Sequence, residues 1–324
     1  MVARGLGSPI EGTVRPGPLV PLADQARDYA RAPKAANTLR AYRADWRHFA
    51  AWCERHGRSA LPAAPETVAL YLAELGGQRK TATIGRRLTA IAQAHKAADH
   101  GTPTTQATVK AVWAGIRRTH GTAQEGKAPA LTEDVRRMVT ALPDKLLGTR
   151  DRALLLVGFA GAFRRSELVA LDVADVAETG DGLVVTLRRS KTDQEGAGRR
   201  IGIPYGSNPL TCPVRALRAW LELTTIAAGP LFRAVDRHGR LGPGRLSDKA
   251  VALVVKRAAA AAGLDPSRYA GHSLRAGLAT AAAAANVPER VIALQTGHRS
   301  TKILRRYIRA GSLLRENAAA SAGL

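Results

Sequence analysis

Four short stretches in the second half of the chain carry residue types that phosphodiester chemistry uses. They are GAFRRSELVAL (161–171), RRSKTD (188–193), GHSLRAG (271–277) and TGHRSTKILRRYIRA (296–310). Taken singly, each stretch is a weak signal, because an arginine beside a buried helix or a lysine at a hairpin tip is common. Together they supply a set of candidate catalytic side chains: Arg164, Lys191, His272, Arg275, His298 and Tyr307.

Cleaving a phosphodiester without a metal requires cations on the non-bridging oxygens, a nucleophile, and a proton donor for the departing oxygen. Arg164 and Arg275 can be those cations, because a guanidinium stays charged and forks onto two oxygens. His272 lies three residues before Arg275 on a predicted helix, so both side chains share one face. This spacing predicts a proton-handling group beside a phosphate-holding one.

Tyr307 is the candidate nucleophile, and its phenol, with a reference pKa of about 10, needs a cationic pocket or a nearby base to activate it. Lys191, at the tip of a predicted hairpin, can donate a proton to a 5′ oxygen. His298 can donate to the phosphoryl oxygens. The alternative interpretations are that Lys191 is a solvated surface lysine and that Tyr307 is a core residue of an amphipathic helix.

The charge of the chain favours a polyanionic partner. The 324 residues include 49 Lys and Arg against 26 Asp and Glu, a formal net charge of +23. A GC-rich coding bias toward arginine is the competing explanation. Apolar residues make up 45% of the chain and aromatic residues only 4%, which favours a mainly helical fold over an aromatic-rich β-sandwich.

Other classes of protein are disfavoured by what the sequence lacks. Cys53 and Cys212 form no CxxC pair, so a zinc site or a disulfide framework is not expected. No apolar run approaches the roughly 20 residues that a membrane span needs, and the N-terminus has no apolar signal-peptide core. We therefore expect a soluble cytoplasmic protein, encoded by a bacterium, an archaeon or a phage, with no membrane partner.

The elements that must position these residues fall into two predicted domains. Residues 1–18 are predicted to be a disordered tail, 19–121 an N-terminal helical domain, 122–130 a linker and 131–324 a mostly helical catalytic domain. The N-terminal helices are expected at 37–56, 65–75, 81–100 and 104–120. The catalytic domain is expected to hold helices near 132–142, 150–161, 164–171, 212–227, 247–262, 272–285, 288–296 and 301–309, with a β-hairpin of strands 183–188 and 200–203.

Two basic clusters in the N-terminal domain are candidate DNA contacts. One is a stripe on the first helix, and the other lies at the start of the third helix. Either cluster could instead be a solvated helix face. Their members are Arg40, Arg43 and Arg47 in the first, and Lys80, Thr81, Arg86 and Arg87 in the second.

The order of the catalytic candidates resembles the active site of the tyrosine recombinase (phage integrase) family. The matching pattern is Arg164, Lys191, His272-x-x-Arg275, Gly297-His298 and Tyr307. Segments 49–58 and 62–72 are similar to the core-binding domain of the Cre-like members. The resemblance to those members departs at His298, where they have Trp and most integrases have His.

This resemblance implies a role for each matching residue. Tyr307 would form a covalent 3′-phosphotyrosine, Arg164 and Arg275 would clamp the phosphate, and Lys191 would be the general acid. His272 would accept the tyrosine proton or stabilise the phosphoryl group, and His298 would hydrogen-bond the transition state.

The family also implies a supporting residue and a reaction without cofactors. Glu167 matches an acidic position that orients the site, although a helix-surface carboxylate is the alternative. Because the phosphotyrosine keeps the energy of the broken bond, neither ATP nor a metal is expected. The sequence has no GxxxxGK[ST] loop and no Asp/Glu cluster at metal-ligand spacing, in agreement with that expectation.

The implied fold is a SAM-like core-binding bundle joined to a mostly helical catalytic domain with a small β-hairpin, forming a C-shaped clamp on double-stranded DNA. The implied assembly is a tetramer on two DNA sites, built from protomers that are monomeric or weakly associated in solution. A predicted helix at 312–321 would dock on the neighbouring protomer in trans, or fold back in cis.

Three other functions remain open at this point. A type IB topoisomerase-like strand transferase would use the same nucleophile without exchange between protomers. A non-enzymatic DNA-binding protein would account for the charge and the helices but not for the catalytic set. A metal-dependent nuclease is the third.

Overall fold

The computed structural model describes residues 36–123, 126–188, 198–298, 300 and 304–308, without the Ala36 side chain. The chain divides into two compact units, Met1–Glu125 and Gly126–Leu324. The predicted tail at 1–18, the helix at 312–321 and Lys191 lie outside the described residues.

The described part of the first unit is a bundle of α-helices. They are α1 (Ala36–Arg55), α2 (Pro65–Leu75), α3 (Thr81–Ala97) and α4 (Ala107–His120). The last helix starts later than predicted, because Pro103–Thr105 forms a separate 3-10 turn in which the Thr102 hydroxyl accepts from the amide of Thr104. Apolar side chains from each helix fill the bundle core, among them Phe49, Tyr71, Ile84 and Val109.

The second unit is also mostly helical. Its helices are α5 (Thr132–Thr140), α6 (Leu146–Ala160), α7 (Arg165–Ala170), α8 (Pro213–Thr224), α9 (Asp248–Ala261), α10 (Ser273–Ala284), α11 (Glu289–Thr296) and α12, described over 304–308. Helix α6 is buried along most of its length, and Ala153, Leu154, Leu155 and Val157 have no exposed surface. No helix in the described part of the chain is both long and apolar enough to cross a membrane.

Two small antiparallel sheets accompany these helices. The first has the order β1 (Val176–Thr179), β2 (Gly182–Leu187), β3 (Arg199–Pro204), and the second pairs β4 (Arg233–Val235) with β5 (Leu241–Arg245). The predicted hairpin corresponds to β2 and β3, in which Leu187 pairs with Arg199. The sequence analysis missed β1, a mostly exposed edge strand, and the second hairpin, whose LGPGR strand is rich in residues that strands usually avoid.

Helix α10, which carries Arg275, lies against the backbone at the start of the unit. The amide of Ala130 donates to the carbonyl oxygen of Ser273 over 2.9 Å. At Gly277, one turn further on, a Cβ atom would lie only 1.7 Å from the carbonyl oxygen of Ala130. The missing side chain of Gly277 therefore sets how closely α10 approaches, and with it the position of Arg275.

We predict that Gly277→Ala destabilises the second unit by about 1–3 kcal/mol, because the added methyl group has no room and the backbone must shift. Chemical denaturation followed by circular dichroism measures the effect. Gly202→Ala is the matched control, since a Cβ at Gly202 would meet no atom within 4 Å. Equal midpoints for the two variants would contradict this account of the contact.

Candidate active site

Arg164 and Glu167 form the first part of the site, at the start of α7. The backbone amide of Arg164 donates to Glu167 Oε2 over 2.9 Å, and its Nη1 donates to Oε1 over 2.5 Å. Glu167 is 3% exposed, so the alternative of a surface carboxylate is wrong. The carboxylate thus holds Arg164 at two points and fixes the direction of its guanidinium.

Arg275 is the most deeply buried of the candidate residues. It is 1% exposed, and its Nη1 donates to the carbonyl oxygen of Ala162 over 2.8 Å. Burial, followed by repulsion from Arg164, lowers the pKa of Arg275 to about 10. Arg275 is therefore still charged at neutral pH, with its guanidinium anchored in the turn that precedes Arg164.

His272 and Tyr307 form a direct contact across the site. His272 Nε2 lies 2.8 Å from the Tyr307 hydroxyl oxygen, and their ring centroids are 6.3 Å apart. His272 is the N-cap residue of α10 and thus just precedes the helix that the sequence analysis placed it on. The buried side chain of Leu304 anchors α12 against α10 and α11, which brings the phenol to the imidazole of the same chain.

His298 lies just after α11, with its ring centroid 6.0 Å from that of Tyr307. Its Nε2 is 3.3 Å from Arg275 Nη2, and its Nδ1 is 2.7 Å from the hydroxyl of Thr296. Burial first, and then the neighbouring cations, lower the pKa of His298 to about 4. The imidazole is therefore neutral at physiological pH in the protein without DNA.

Arg199, at the start of β3, belongs to the site and was missed by the sequence analysis. Its Nη1 donates to the carbonyl oxygens of Leu294 and Gln295, each over 3.1 Å, and so caps the carboxyl end of α11. The signal was available, because Arg199 is in phase with the buried Ile201 and Ile203 along the strand and should therefore point inward.

The glycine after α11 makes room for this arginine. Gly297 has a φ of +63°, and a Cβ there would lie 2.7 Å from Arg199 Cζ. Burial lowers the pKa of Arg199, and its Nη2 is a buried atom without a hydrogen-bond partner among the described residues. The guanidinium thus holds the helix end from which His298 projects.

The site has more positive than negative charge. Arg164, Arg199 and Arg275 lie near enough to repel one another, and Glu167 is the carboxylate that offsets them. Because His298 is neutral, these three arginines and one carboxylate give the site a net positive charge. An anion with several acceptor oxygens, such as a phosphate, would relieve this repulsion. Among the described residues, no group of three or more His, Cys, Asp or Glu could hold a metal ion.

The first basic cluster of the N-terminal unit lies where the sequence analysis expected it. Arg40, Arg43 and Arg47 are exposed on α1, and Arg40 Nη1 donates to Asn37 Oδ1 over 2.8 Å. In the second cluster, Lys80 is exposed before α3 and Thr81 is half-buried at its start. Contact of these residues with DNA stays a prediction.

Arg86 and Arg87 differ from each other in their exposure to solvent. The side chain of Arg86 is half exposed, with Nε donating to Asp45 Oδ2 over 2.6 Å. Arg87 is 8% exposed, and its Nη1 donates to the hydroxyl of Tyr71 over 3.2 Å. Arg87 therefore belongs to the polar core of the bundle in the protein without DNA, and its burial is evidence against the predicted contact with DNA, which stays untested.

Lys191 lies between β2 and β3, outside the described residues. Its role as general acid stays a prediction. The pairing of Leu187 with Arg199 shows that the segment leaves and re-enters the sheet at one end. Arg199, the second described residue after this segment, belongs to the site.

The chain is similar to proteins of one family over most of its length. The phage integrase family model matches residues 130–312, and the model for the phage integrase N-terminal SAM-like domain matches residues 29–101. The integrase/recombinase xerD homolog of Selenomonas ruminantium is 44% identical over 289 residues, covering 88% of this chain and 85% of that protein. The recombinase cre of Escherichia phage P1 is 26% identical over 283 residues, covering 81% of each chain.

The fold is shared with a solved structure of a DNA-bound enzyme. A chain from the lambda integrase tetramer bound to a Holliday junction matches with a TM-score of 0.59 and 16% sequence identity, over 91% of this chain and 78% of that one. The family models span both described units. This chain therefore belongs to the phage integrase family, the tyrosine recombinases.

Proposed function

We propose that this protein is a site-specific DNA recombinase that cuts and rejoins strands through a covalent 3′-phosphotyrosine. The observation that carries the proposal is the 2.8 Å contact between the Tyr307 hydroxyl and His272 Nε2, beside the buried guanidinium of Arg275. A nucleophile, a base and a phosphate-binding cation are together in one chain. The recombinase relatives favour this function over a topoisomerase or a non-enzymatic DNA-binding protein.

Strand cleavage would begin at Tyr307. Its oxygen attacks the phosphorus and its proton passes to His272 Nε2. As the bond from phosphorus to the tyrosine oxygen forms, the bond to the 5′ oxygen breaks, and that oxygen takes a proton from Lys191. The products are a 3′-phosphotyrosine and a 5′-hydroxyl. Attack of a 5′-hydroxyl on the phosphotyrosine reverses every step and rejoins the strand without ATP.

The arginines would stabilise the transition state electrostatically. Charge builds on the non-bridging oxygens during attack, and fixed guanidinium groups stabilise that charge without having to reorganise. Glu167 holds Arg164 by two hydrogen bonds, and the carbonyl of Ala162 holds Arg275, so both cations are in place before DNA arrives. We propose Arg164 and Arg275 as the phosphate clamp.

The N-terminal unit would add sequence-independent affinity through phosphate contacts. Arg40, Arg43 and Arg47 present an exposed cationic face, and Lys80 and Arg86 present further positive charge. Binding of DNA to these groups releases counterions and is therefore strongly salt-dependent. We place the activity in the cytosol or nucleoid, where such DNA is accessible.

We predict that Tyr307→Phe abolishes the covalent adduct and leaves DNA affinity unchanged, because only the nucleophilic oxygen is lost. The substrate is a 5′-labelled duplex selected from a random pool by wild-type binding. Denaturing gels measure the adduct and gel shifts measure affinity. Tyr205→Phe is the matched control, since Tyr205 bonds to Glu178 on the surface of the same unit. An adduct in Tyr307→Phe would refute the assignment.

Lys191→Ala should slow cleavage by roughly 10²–10⁴-fold, the usual contribution of a general acid. A substrate with sulfur at the scissile 5′ position should restore the rate, because a thiolate leaves without a proton. Single-turnover cleavage of the two substrates is the measurement. Lys249→Ala, an exposed lysine on α9, is the control. Equal slowing on both substrates would exclude Lys191 as the acid.

We propose that four protomers assemble on two DNA sites and that the segment after Tyr307 docks on a neighbour. A chain ending at Ala310 should then still form the covalent adduct but fail to hold two duplexes together. Light scattering of the DNA complexes measures assembly, with the full chain as the control. Loss of the adduct itself, with assembly intact, would indicate docking in cis.

A further inference from the structure

The last turn of α11 contains a buried hydroxyl that touches the candidate site. Thr296 has no exposed surface. Its Oγ1 lies 2.6 Å from the carbonyl oxygen of Ile292, 3.4 Å from that of Ala293 and 2.7 Å from His298 Nδ1. The hydroxyl therefore links the helix backbone to the imidazole.

The number of available protons determines which atom donates in the hydrogen bonds of Thr296 to the Ile292 carbonyl and to His298. A hydroxyl has one proton, and a carbonyl oxygen can only accept, so the proton of Thr296 points to the backbone. His298 Nδ1 must then donate to Oγ1. On the other side of the ring, Arg275 Nη2 can only donate, so His298 Nε2 accepts. Both contacts give the same neutral tautomer, with the proton on Nδ1.

This tautomer cannot donate from Nε2, the nitrogen that faces Arg275. A phosphoryl oxygen is an acceptor, so two acceptors would meet if a phosphate entered beside the neutral ring. Donation to the phosphate requires a second proton on the imidazole.

We propose that Thr296 is a positioning residue that holds His298 as the Nδ1–H tautomer, so that Nε2 becomes a donor to the DNA phosphate only when the ring takes up a second proton. The part of this inference that concerns the phosphate rests on the proposed function. The part that concerns the tautomer rests only on the contacts of His298 with Thr296 and Arg275.

The charges around His298 explain why DNA should trigger the uptake. The charged or titratable groups that face the ring from the packed elements are Arg164, Arg199, His272, Arg275 and Tyr307. Burial first, and then the cations among these groups, hold the pKa of His298 low when no DNA is bound. A phosphate has the opposite charge and raises that pKa. The complex then binds more protons than the free protein. DNA affinity should therefore fall as the pH rises from the pKa of His298 in the free protein to its higher pKa in the complex.

Nuclear magnetic resonance of ¹⁵N-histidine-labelled protein without DNA tests the tautomer, with the His298 signals assigned from their loss in His298→Gln. Wild type and Thr296→Ser should show a protonated Nδ1 and an unprotonated Nε2. Thr296→Val has the same shape without the acceptor and should show a mixture of tautomers. A proton on Nε2 in wild type, or an unchanged tautomer in Thr296→Val, would overturn the proposal.

Calorimetry tests the proton uptake. Tyr307→Phe protein is titrated with the selected duplex at pH 7 in buffers of different ionisation enthalpy. We expect a net uptake of protons, which disappears in the double variant with His298→Gln. Equal uptake by both proteins would refute the coupling to His298.

The rate of DNA cleavage provides a third test of the role of Thr296. Thr296→Val should cleave about 10–100-fold more slowly, the usual effect of removing a group that orients an active residue, and Thr296→Ser should restore the rate. Undiminished cleavage by Thr296→Val would count against the positioning role. Since the tautomer is read without DNA, an error in the proposed function would show in the adduct assay and leave the spectroscopic result intact.

Discussion

Burying Arg275 is the constraint around which the second unit is organised. A guanidinium that is removed from water must keep its hydrogen bonds, and here the carbonyl of Ala162 and the imidazole of His298 accept them. Both partners lie just after the ends of helices, and Ala162 accepts through a backbone carbonyl that is free at such an end. The helix ends must therefore meet at Arg275, and this meeting point is also where Tyr307 lies.

The carboxyl end of α11 shows how that meeting is enforced. Arg199 caps its last carbonyls, and the side-chain Nε2 of Gln295 donates to the carbonyl oxygens of Ala160 and Gly202. These bonds tie the helix end to both α6 and β3. His298 follows almost immediately, so these side-chain-to-backbone hydrogen bonds set the position of its backbone, and Thr296 and Arg275 hold its ring.

Much of this arrangement could be predicted from the sequence, and the reasons differ for each part. The pair His272–Arg275 was predicted from its three-residue spacing on an expected helix, and the orienting role of Glu167 was implied by the family resemblance. The catalytic set was readable because its order resembles a known family. Arg199 was overlooked, although its position in phase with Ile201 and Ile203 indicated that it points inward. The helix end that Arg199 caps and the role of Thr296 could not be found, because local periodicity does not show which helix end lies against which strand.

The contact between His272 and Tyr307 within one chain has a consequence for mixed assemblies. Each subunit would cut only the strand that it holds itself, because its nucleophile and its base come from the same polypeptide. If active and inactive subunits were mixed on the same DNA, the number of strand breaks would rise in direct proportion to the fraction of subunits that are active. Donation of the nucleophile between subunits would instead give a curved dependence.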